Sequence, residues 1–454
     1  MTAATDSAGG RSPLRLELGH TARLAFPLAA AQMTIMLMGI VDVAVVGHYD
    51  SVHLSGTWLG HSITHGTLVF GSGIVLALEP LMAQALGAGE QGRAWSWWKT
   101  GLRVALGTAI PLSLLAVLLV SLAQLVGVPD DIQTQGLNHI LARTPGNFVY
   151  VAFLAARAFL QSHQSPRALV IAAIMANVVN LGLDLALVDG LVTWGATGAG
   201  IATSFSTIVL FAVLLRAVRG HRPPPGTELP KTSARALIRV GLPLGFQLAA
   251  EFLVFTTCGV LATTLGPVSG SAHAIALQWS TLSFMAAVGL SSAAAARIGE
   301  AIGQGRPDLV RLRAKAAMLW MVIIMGTSAT VYALGAPLIA ELNAPHDLPV
   351  RALASRLLLI AAFFQLFDGT QVVMSGCLRG VGDLRFPFVL TVLGYWGVGF
   401  PIAYGLAFPA GLGAEGLWYG LTAGLGAASV ALAWRFVRVS SRAIVRLEAS
   451  SKRA

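Results

Sequence analysis

The sequence predicts an all-α integral membrane protein with twelve transmembrane helices, arranged as two parallel six-helix repeats around a central cavity. Three observations lead to this fold class. The 454 residues are 55% hydrophobic with a mean hydropathy of +0.73, long apolar segments recur along the whole chain, and the two halves resemble each other. Only 11% of the residues are charged, whereas soluble domains carry about a quarter, so a soluble globular domain is excluded.

The apolar segments have the length that a bilayer requires. About 20 residues of α-helix cross the roughly 30 Å hydrocarbon layer. Period-two alternation is absent, and a helix satisfies its own backbone hydrogen bonds in lipid. We therefore expect helices at residues 22–47, 58–85, 103–127, 138–161, 167–189, 197–217, 237–264, 271–299, 314–341, 351–376, 385–408 and 414–437.

Positive charge is distributed unevenly about these segments. Of the 30 Lys and Arg residues, 27 fall at breaks on the side of the N-terminus, and only Arg143, Arg351 and Arg356 fall toward the other side. The positive-inside rule then predicts that both termini are cytoplasmic and that the number of spans is even. The net charge of +10 is thus a topology signal, and we expect no nucleic-acid partner.

An internal repeat divides the chain into two units. The Pro-Leu pair at 27–28 recurs at 243–244, and Gly-Ala-Gly at 87–89 has its counterpart at 303–305, both offset by 216 residues. A register kept over so long a stretch indicates a duplicated unit. Because six spans return the chain to the same side, the units are parallel and related by an axis along the membrane normal, as in many secondary transporters.

The longest hydrophilic break contains three consecutive prolines, at 223–225, and separates the two units as a linker. These boundaries predict five parts. They are a cytoplasmic N-terminal segment at 1–21, an N-lobe at 22–217, a cytoplasmic linker at 218–236, a C-lobe at 237–437 and a cytoplasmic basic tail at 438–454.

Four carboxylates fall inside predicted spans: Asp42, Asp184, Glu251 and Asp368. A charge inside the bilayer costs at least a few kcal/mol, so such residues commonly mark an ion or proton pathway. The alternative for each is a hydrogen-bonded structural pair that tightens helix packing. Near span ends, as for Glu79, partial solvation or helix capping is the favoured interpretation.

In the first half, the topology places Asp42 and Asp184 in the outer third of their spans, with Thr203 at a similar depth. Asn177, Asn180 and Asp184 are spaced i, i+3, i+7 and share one helix face. Carboxylate, amide and hydroxyl oxygens suit a small hard cation such as Na⁺, and a carboxylate pair also suits a proton. For the two asparagines and the threonine, the alternative is ordinary interhelical hydrogen bonding.

The second half carries its acids at other positions. The offset of 216 places Cys258 opposite Asp42, whereas Glu251 and Asp368 fall near the middle of the seventh and tenth spans. The repeat therefore predicts a shared scaffold with different chemistry in each half.

The sequence has no P-loop motif and no soluble domain large enough for an enzyme active site. We therefore expect no enzyme, and the energy source is an ion gradient or a partner protein.

Several stretches resemble one known family. They are MGIVDVAVVG at 38–47, GLPLGFQLAAEFLVF at 241–255, SAHAIALQWSTLSFMAAVGLSSAAAARIGEAIGQG at 271–305 and FDGTQVVMSGCLRGVGD at 367–383. These stretches are similar to the multidrug and toxic compound extrusion (MATE) transporters, and the similarity extends over residues 20–437.

The resemblance implies a monomeric, cation-coupled exporter of the inner membrane that needs no cofactor. In such a protein H⁺ or Na⁺ enters while amphiphilic, often cationic, small molecules and drugs leave. Carried over by position, the resemblance implies an N-lobe cation site of Asp42, Asn180, Asp184 and Thr203, with Asn177 beside it. It also implies that the C-lobe acids Glu251 and Asp368 serve coupling or cationic substrates.

Two other functions fit parts of the pattern. A flippase for lipid-linked precursors shares the general scaffold, but it should line its cavity with basic residues for pyrophosphate, whereas nearly every Lys and Arg falls in a predicted cytoplasmic loop. A membrane scaffold without transport would leave the embedded acids unexplained.

Overall fold

Twelve membrane-length helices form the structure, a computed structural model that describes residues 12–442, 444, 446 and 447. No strand occurs within those residues. The helices are α1 (Pro13–Tyr49), α2 (Ser51–Gly87), α3 (Gln91–Ser121), α4 (Asp130–Ser162), α5 (Arg167–Leu187), α6 (Gly195–Arg219), α7 (Ala234–Thr264), α8 (Pro267–Gly303), α9 (Asp308–Asn343), α10 (Leu348–Val381), α11 (Arg385–Ala407) and α12 (Gly413–Ser440).

These helices correspond one to one with the twelve predicted spans, and most extend beyond the predicted ends. The third span is present, but its predicted end at residue 127 is wrong, because α3 ends at Ser121 and a 3-10 turn, Ala123–Val126, follows it. Gly127 stops that turn with a φ of +87°, a conformation that glycine adopts without steric cost. Eleven of the helices are apolar enough to count as membrane spans on composition alone, and α4 is the exception.

Two helices are irregular. The helical hydrogen-bonding pattern of α2 is interrupted at Ala77, since the ring of Pro80 has no N–H to donate and clashes with the carbonyl four residues before it. In α11 the segment Leu393–Gly399 is π-helical. Such segments are rare and frequently lie at functional sites.

The N-lobe (α1–α6) and the C-lobe (α7–α12) meet in two equivalent contacts. Helix α1 packs on α8 and helix α2 packs on α7. A Cβ at Gly73 would lie 2.6 Å from the Gly245 backbone, and one at Gly289 would lie 2.4 Å from the Ala29 backbone nitrogen. The offset of 216 converts the first pair of residues into the second, so the repeat makes the same close contact twice, as a parallel duplication requires. The prediction of two parallel six-helix repeats is confirmed, while the five boundaries given above stay a prediction.

The same symmetry holds at the end of the bundle where α1 begins and α12 ends, which we call the basic end. A Cβ at Gly87 would lie 2.2 Å from the Glu300 carbonyl oxygen, and one at Gly303 would lie 2.2 Å from that of Gln84. These residues also exchange under the offset of 216. The two lobes therefore meet backbone to backbone there, through the glycines that revealed the repeat.

Helices α11 and α12 approach closely enough that their contact requires glycine, as at Gly420. A Cβ at Gly420 would lie 2.2 Å from the backbone of Ala403, whereas a Cβ at Gly405 would meet nothing within 4 Å.

We predict that Gly420→Ala lowers the free energy of unfolding by about 1–3 kcal/mol, the usual cost of overpacking. Thermal unfolding of the purified protein in detergent measures the loss. Gly405→Ala, in the same helix as Ala403, is the control and should leave the melting temperature unchanged or slightly higher; equal losses in both variants would contradict the prediction.

Candidate functional site

In the N-lobe, Asp42 is buried and receives hydrogen bonds from two neighbouring helices. Asn180 of α5 donates its amide to one carboxylate oxygen at 2.9 Å, and the Thr203 hydroxyl of α6 lies 2.8 Å from the other. That hydroxyl also lies 2.9 Å from the Ala199 carbonyl and donates its one proton to a single acceptor at a time. Helices α1, α5 and α6 thus bring together three of the predicted site residues at one depth.

Asp184 completes this cluster and differs from Asp42 in having no donor. It is fully buried, and neither of its carboxylate oxygens accepts a hydrogen bond from the described residues. Its neighbour is the carboxyl of Asp42, which is within hydrogen-bonding reach. The Asn180 side-chain oxygen also lacks a donor. Two carboxylates in contact require a proton or a cation between them, and the free oxygens supply ligands of the hard type that Na⁺ accepts.

Asn177 lies outside this hydrogen-bonded cluster. Its amide donates to the backbone carbonyls of Thr34 and Ala173, at 2.7 and 2.9 Å. A different residue, Arg143 of α4, lies within electrostatic range of Asp42 and donates to the Nδ1 atom of His61 at 2.9 Å. The guanidinium of Arg143 therefore lies within electrostatic range of one member of the Asp42–Asp184 pair.

In the C-lobe, Glu251 of α7 is held by two glutamines. The amides of Gln247, one turn earlier, and Gln371 of α10 donate to the same oxygen of Glu251 at 3.0 and 2.9 Å. The side-chain oxygens of both glutamines are buried without a donor. Among the described residues, the second oxygen of the carboxylate accepts no hydrogen bond, so the cluster has acceptors in excess of donors, as in the N-lobe.

Asp368 of α10 is buried within electrostatic range of Glu251. Tyr395, from the π-helical segment of α11, interacts electrostatically with both acids. Trp396 of the same segment donates to the Ala250 carbonyl at 3.1 Å, beside Glu251. The π-helical segment thus fixes two aromatic residues against the acidic part of the C-lobe.

Gln247, Gln371 and Tyr395 are absent from the residues that the sequence singles out. Spacing could have indicated both glutamines, since Gln247 precedes Glu251 by four residues and Gln371 follows Asp368 by three, which places each on the same helix face as an acid. Tyr395 carries no such signal, because its position depends on how α11 packs.

Comparison with known proteins identifies this architecture. The family model MatE matches residues 27–185 and 243–405, one segment in each lobe. This chain belongs to the MatE family. Membership places it among multi-pass membrane transporters rather than enzymes.

Curated relatives of this MatE protein resemble it over nearly their whole length. A probable multidrug resistance protein NorM of Burkholderia pseudomallei is 34% identical over 451 residues, 94% of each chain. The multidrug resistance protein NorM of Burkholderia vietnamiensis is also 34% identical, over 92% of this chain and 93% of its own.

Solved structures share the MatE fold at lower identity. The eukaryotic MATE transporter AtDTX14 superimposes with a TM-score of 0.85 at 21% identity, over 94% of this chain and 96% of its own. A mutant of the Vibrio cholerae MATE transporter VcmN gives a TM-score of 0.87 at 17% identity, over 95% and 99%. An outward-facing MATE family transporter gives 0.85 at 18% identity, over 95% and 99%.

A buried ion pair joins the lobes of the MatE protein at the basic end. Glu79 follows the interruption in α2 and accepts a 3.1 Å hydrogen bond from Arg379 of α10, and both side chains are less than 10% exposed. Ser292 of α8 lies 3.4 Å from the other Glu79 oxygen. The interpretation of Glu79 as a solvated or capping residue is therefore wrong, because α8 and α10 cover it.

A second cross-lobe cluster lies nearby. Glu17 of α1 pairs with Arg297 of α8 and lies 3.6 Å from Arg313 of α9. Glu300 pairs with Arg313 at 3.0 Å and accepts from Gln164 of the α4–α5 loop at 2.9 Å. Among the described residues, every hydrogen bond or ion pair between the two lobes lies at or near this end. The lobes are thus closed at the basic end.

The structure corrects the placement of several arginines. Arg143 and Arg157 lie within α4, and Arg297, Arg313 and Arg379 lie within helices rather than in loops. Arg157 donates to the Gln32 side chain at 3.0 Å. Sequence alone misplaced them because a partner on another helix makes a buried arginine tolerable, and no partner is visible before the chain folds.

We predict that Glu79→Gln lowers stability by about 3–5 kcal/mol, since it leaves the Arg379 charge buried without its partner. Thermal unfolding in detergent measures the loss. Combining Glu79→Gln with Arg379→Gln should restore part of it, because no uncompensated charge remains. The control is Glu341→Gln at the half-exposed Glu341–Arg351 pair, where about 0–1 kcal/mol is expected. Similar losses at both pairs would argue against a buried interlobe bond.

Proposed function

We propose that this MatE protein is a secondary active multidrug exporter that exchanges H⁺ or Na⁺ for amphiphilic, often cationic, compounds. The observation that carries the proposal is the proximity of the buried carboxyls of Asp42 and Asp184, together with two Asp184 oxygens that no donor of the described residues reaches. A structural pair would have its acceptors satisfied. A pair that binds and releases a cation needs acceptors that stay open for it.

The substrate class and the membrane rest on the relatives and on charge. Curated relatives covering nearly the whole chain are named multidrug resistance proteins, and this favours drug export over a flippase for lipid-linked precursors. The bacterial relatives support the inner membrane, and the positive-inside rule makes the basic end, and with it both termini, cytoplasmic.

The place where the lobes are joined supports alternating access. With the basic end in the cytoplasm, its closure corresponds to an outward-facing state, in which a cation would reach the carboxylates of both lobes from outside. Cation binding at Asp42 and Asp184 would neutralise their charge and favour one arrangement of the lobes over the other. Opening to the cytoplasm then requires breaking the Glu79–Arg379 and Glu17–Arg297 pairs. The C-lobe acids Glu251 and Asp368 would bind the organic cation or take part in coupling.

Transport in proteoliposomes tests the proposal. Efflux of a fluorescent organic cation is driven in separate experiments by an inward Na⁺ gradient and by a pH gradient. We expect one gradient to drive transport, and Asp42→Asn, Asp184→Asn and Glu251→Gln each to lower the initial rate roughly tenfold or more, since ligand charge strongly tunes cation affinity.

The matched control is Asp189→Asn, which removes an exposed carboxylate in the α5–α6 loop and should transport as the unaltered protein does. Transport under neither gradient, or unchanged rates in all three carboxylate variants, would refute the proposal. A non-transporting scaffold would give the first of these results.

The closed basic end gives a second test. Ser292 is buried against Glu79, so Ser292→Cys, with Cys258 and Cys377 replaced by serine, should react slowly with a maleimide added from the cytoplasmic side. Adding Glu79→Gln should raise the labelling rate at least several-fold, because the pair that holds the lobes together is lost.

The same cysteine variant with Glu341→Gln serves as the control and should label slowly. If removing the Glu79 charge leaves labelling unchanged, the ion pair does not hold the basic end closed.

A further inference from the structure

A groove of about 520 Å³ opens at the basic end between α9 and α12. Both helices pack on α10, which contributes Met374 between them. The groove is lined on the α9 side by Arg311, Ala314, Lys315 and Met318, and on the α12 side by Phe436, Val437, Ser440 and Ser441. None of its lining residues belongs to a carboxylate cluster or to an interlobe ion pair.

The mouth of the groove is basic and held in place by hydroxyl groups. The Arg311 guanidinium spans it, with Nε 3.3 Å from the Ser440 hydroxyl and Nη2 2.6 Å from that of Ser441. Because both acceptors are neutral, they orient the guanidinium without cancelling its charge. Lys315, one turn further along α9, is also exposed.

The charges at the mouth differ from those of neighbouring arginines. Arg306 pairs with Asp308, and Arg313 pairs with Glu300. Within the part of the chain that the structure describes, no carboxylate forms an ion pair with Arg311 or Lys315. Two adjacent positive charges therefore face the groove without an ion-pair partner among the described residues.

Below the mouth the groove becomes apolar and continues toward the hydrocarbon layer. Met374 and Phe436 are buried in it. Positions 311, 315, 318 and 322 share one face of α9, and 437, 434 and 430 share one face of α12, which Ser441 directly follows. The deepest members, Val322 and Val430, are 57% and 68% exposed, so an apolar surface open to lipid extends from the basic mouth.

We propose that this groove binds an anionic phospholipid, with the phosphate group at Arg311 and Lys315 and an acyl chain along the apolar faces of α9 and α12. Basic pockets between helices at a membrane interface bind anionic headgroups. The apolar continuation favours a lipid over free phosphate, because a free anion would leave that surface unused. The inference is independent of ion coupling and of the transported compound.

Native mass spectrometry of the full chain tests this site. The protein is purified in detergent with equal amounts of phosphatidylglycerol and phosphatidylcholine of matched chains, and retained lipids are counted. We expect phosphatidylglycerol to be retained preferentially. Arg311→Gln with Lys315→Gln should weaken its retention about fivefold for each cation removed, whereas Arg306→Gln, an exposed cation outside the groove, should leave retention unchanged.

A second variant separates lipid from free phosphate. Val437→Trp fills the apolar part of the groove at a 63% exposed position and leaves both cations, so phosphatidylglycerol retention should fall. Equal retention of the two lipids, no effect of the double charge variant, or full displacement of phosphatidylglycerol by millimolar inorganic phosphate with no effect of Val437→Trp would each overturn the proposal. The last result would assign the site to a free anion.

Discussion

The cost of placing ionised groups in hydrocarbon governs this structure. A buried charge is tolerated only where another group compensates it, and the interior of this protein meets that requirement in two different ways. At the basic end, Glu79 and Arg379 cancel each other across the lobes. Toward the opposite end, Asp42 and Asp184 lie together, and the described residues supply hydrogen-bond donors only to Asp42. The first arrangement joins the lobes, and the second leaves two buried acceptors without a donor.

The backbone contacts between the lobes follow the internal repeat, whereas the buried acids do not. The backbone contacts between lobes repeat at an offset of 216, as with Gly73 on Gly245 and Gly289 on Ala29. The buried acids do not repeat, because the counterpart of Asp42 is Cys258 and the counterpart of Glu79 is Ala295. A duplicated scaffold thus supplies two similar lobes, and residues that differ between the two repeats give each lobe its own polar cluster.

The same few helices carry the buried acids and the residues that join the lobes. Helix α1 carries Glu17 at the basic end and Asp42 near the other end, and α10 carries both Asp368 and Arg379. Each of these helices therefore carries one residue of a carboxylate cluster and one residue of an interlobe contact. Pro27 lies between the two in α1, and proline is a common site of helix bending.

Sequence alone determined the twelve helices, their parallel repeat and the four embedded acids, since hydropathy, charge bias and the cost of buried charge are properties of local sequence. It also placed Asp42, Asp184 and Thr203 at one depth, because depth follows from topology. Only the tertiary structure decided which groups touch: that Gln247 and Gln371 hold Glu251, and that Glu79 meets Arg379. Those contacts join residues up to 300 positions apart, and the rotation of each helix about its axis, which sets them, depends on packing against its neighbours.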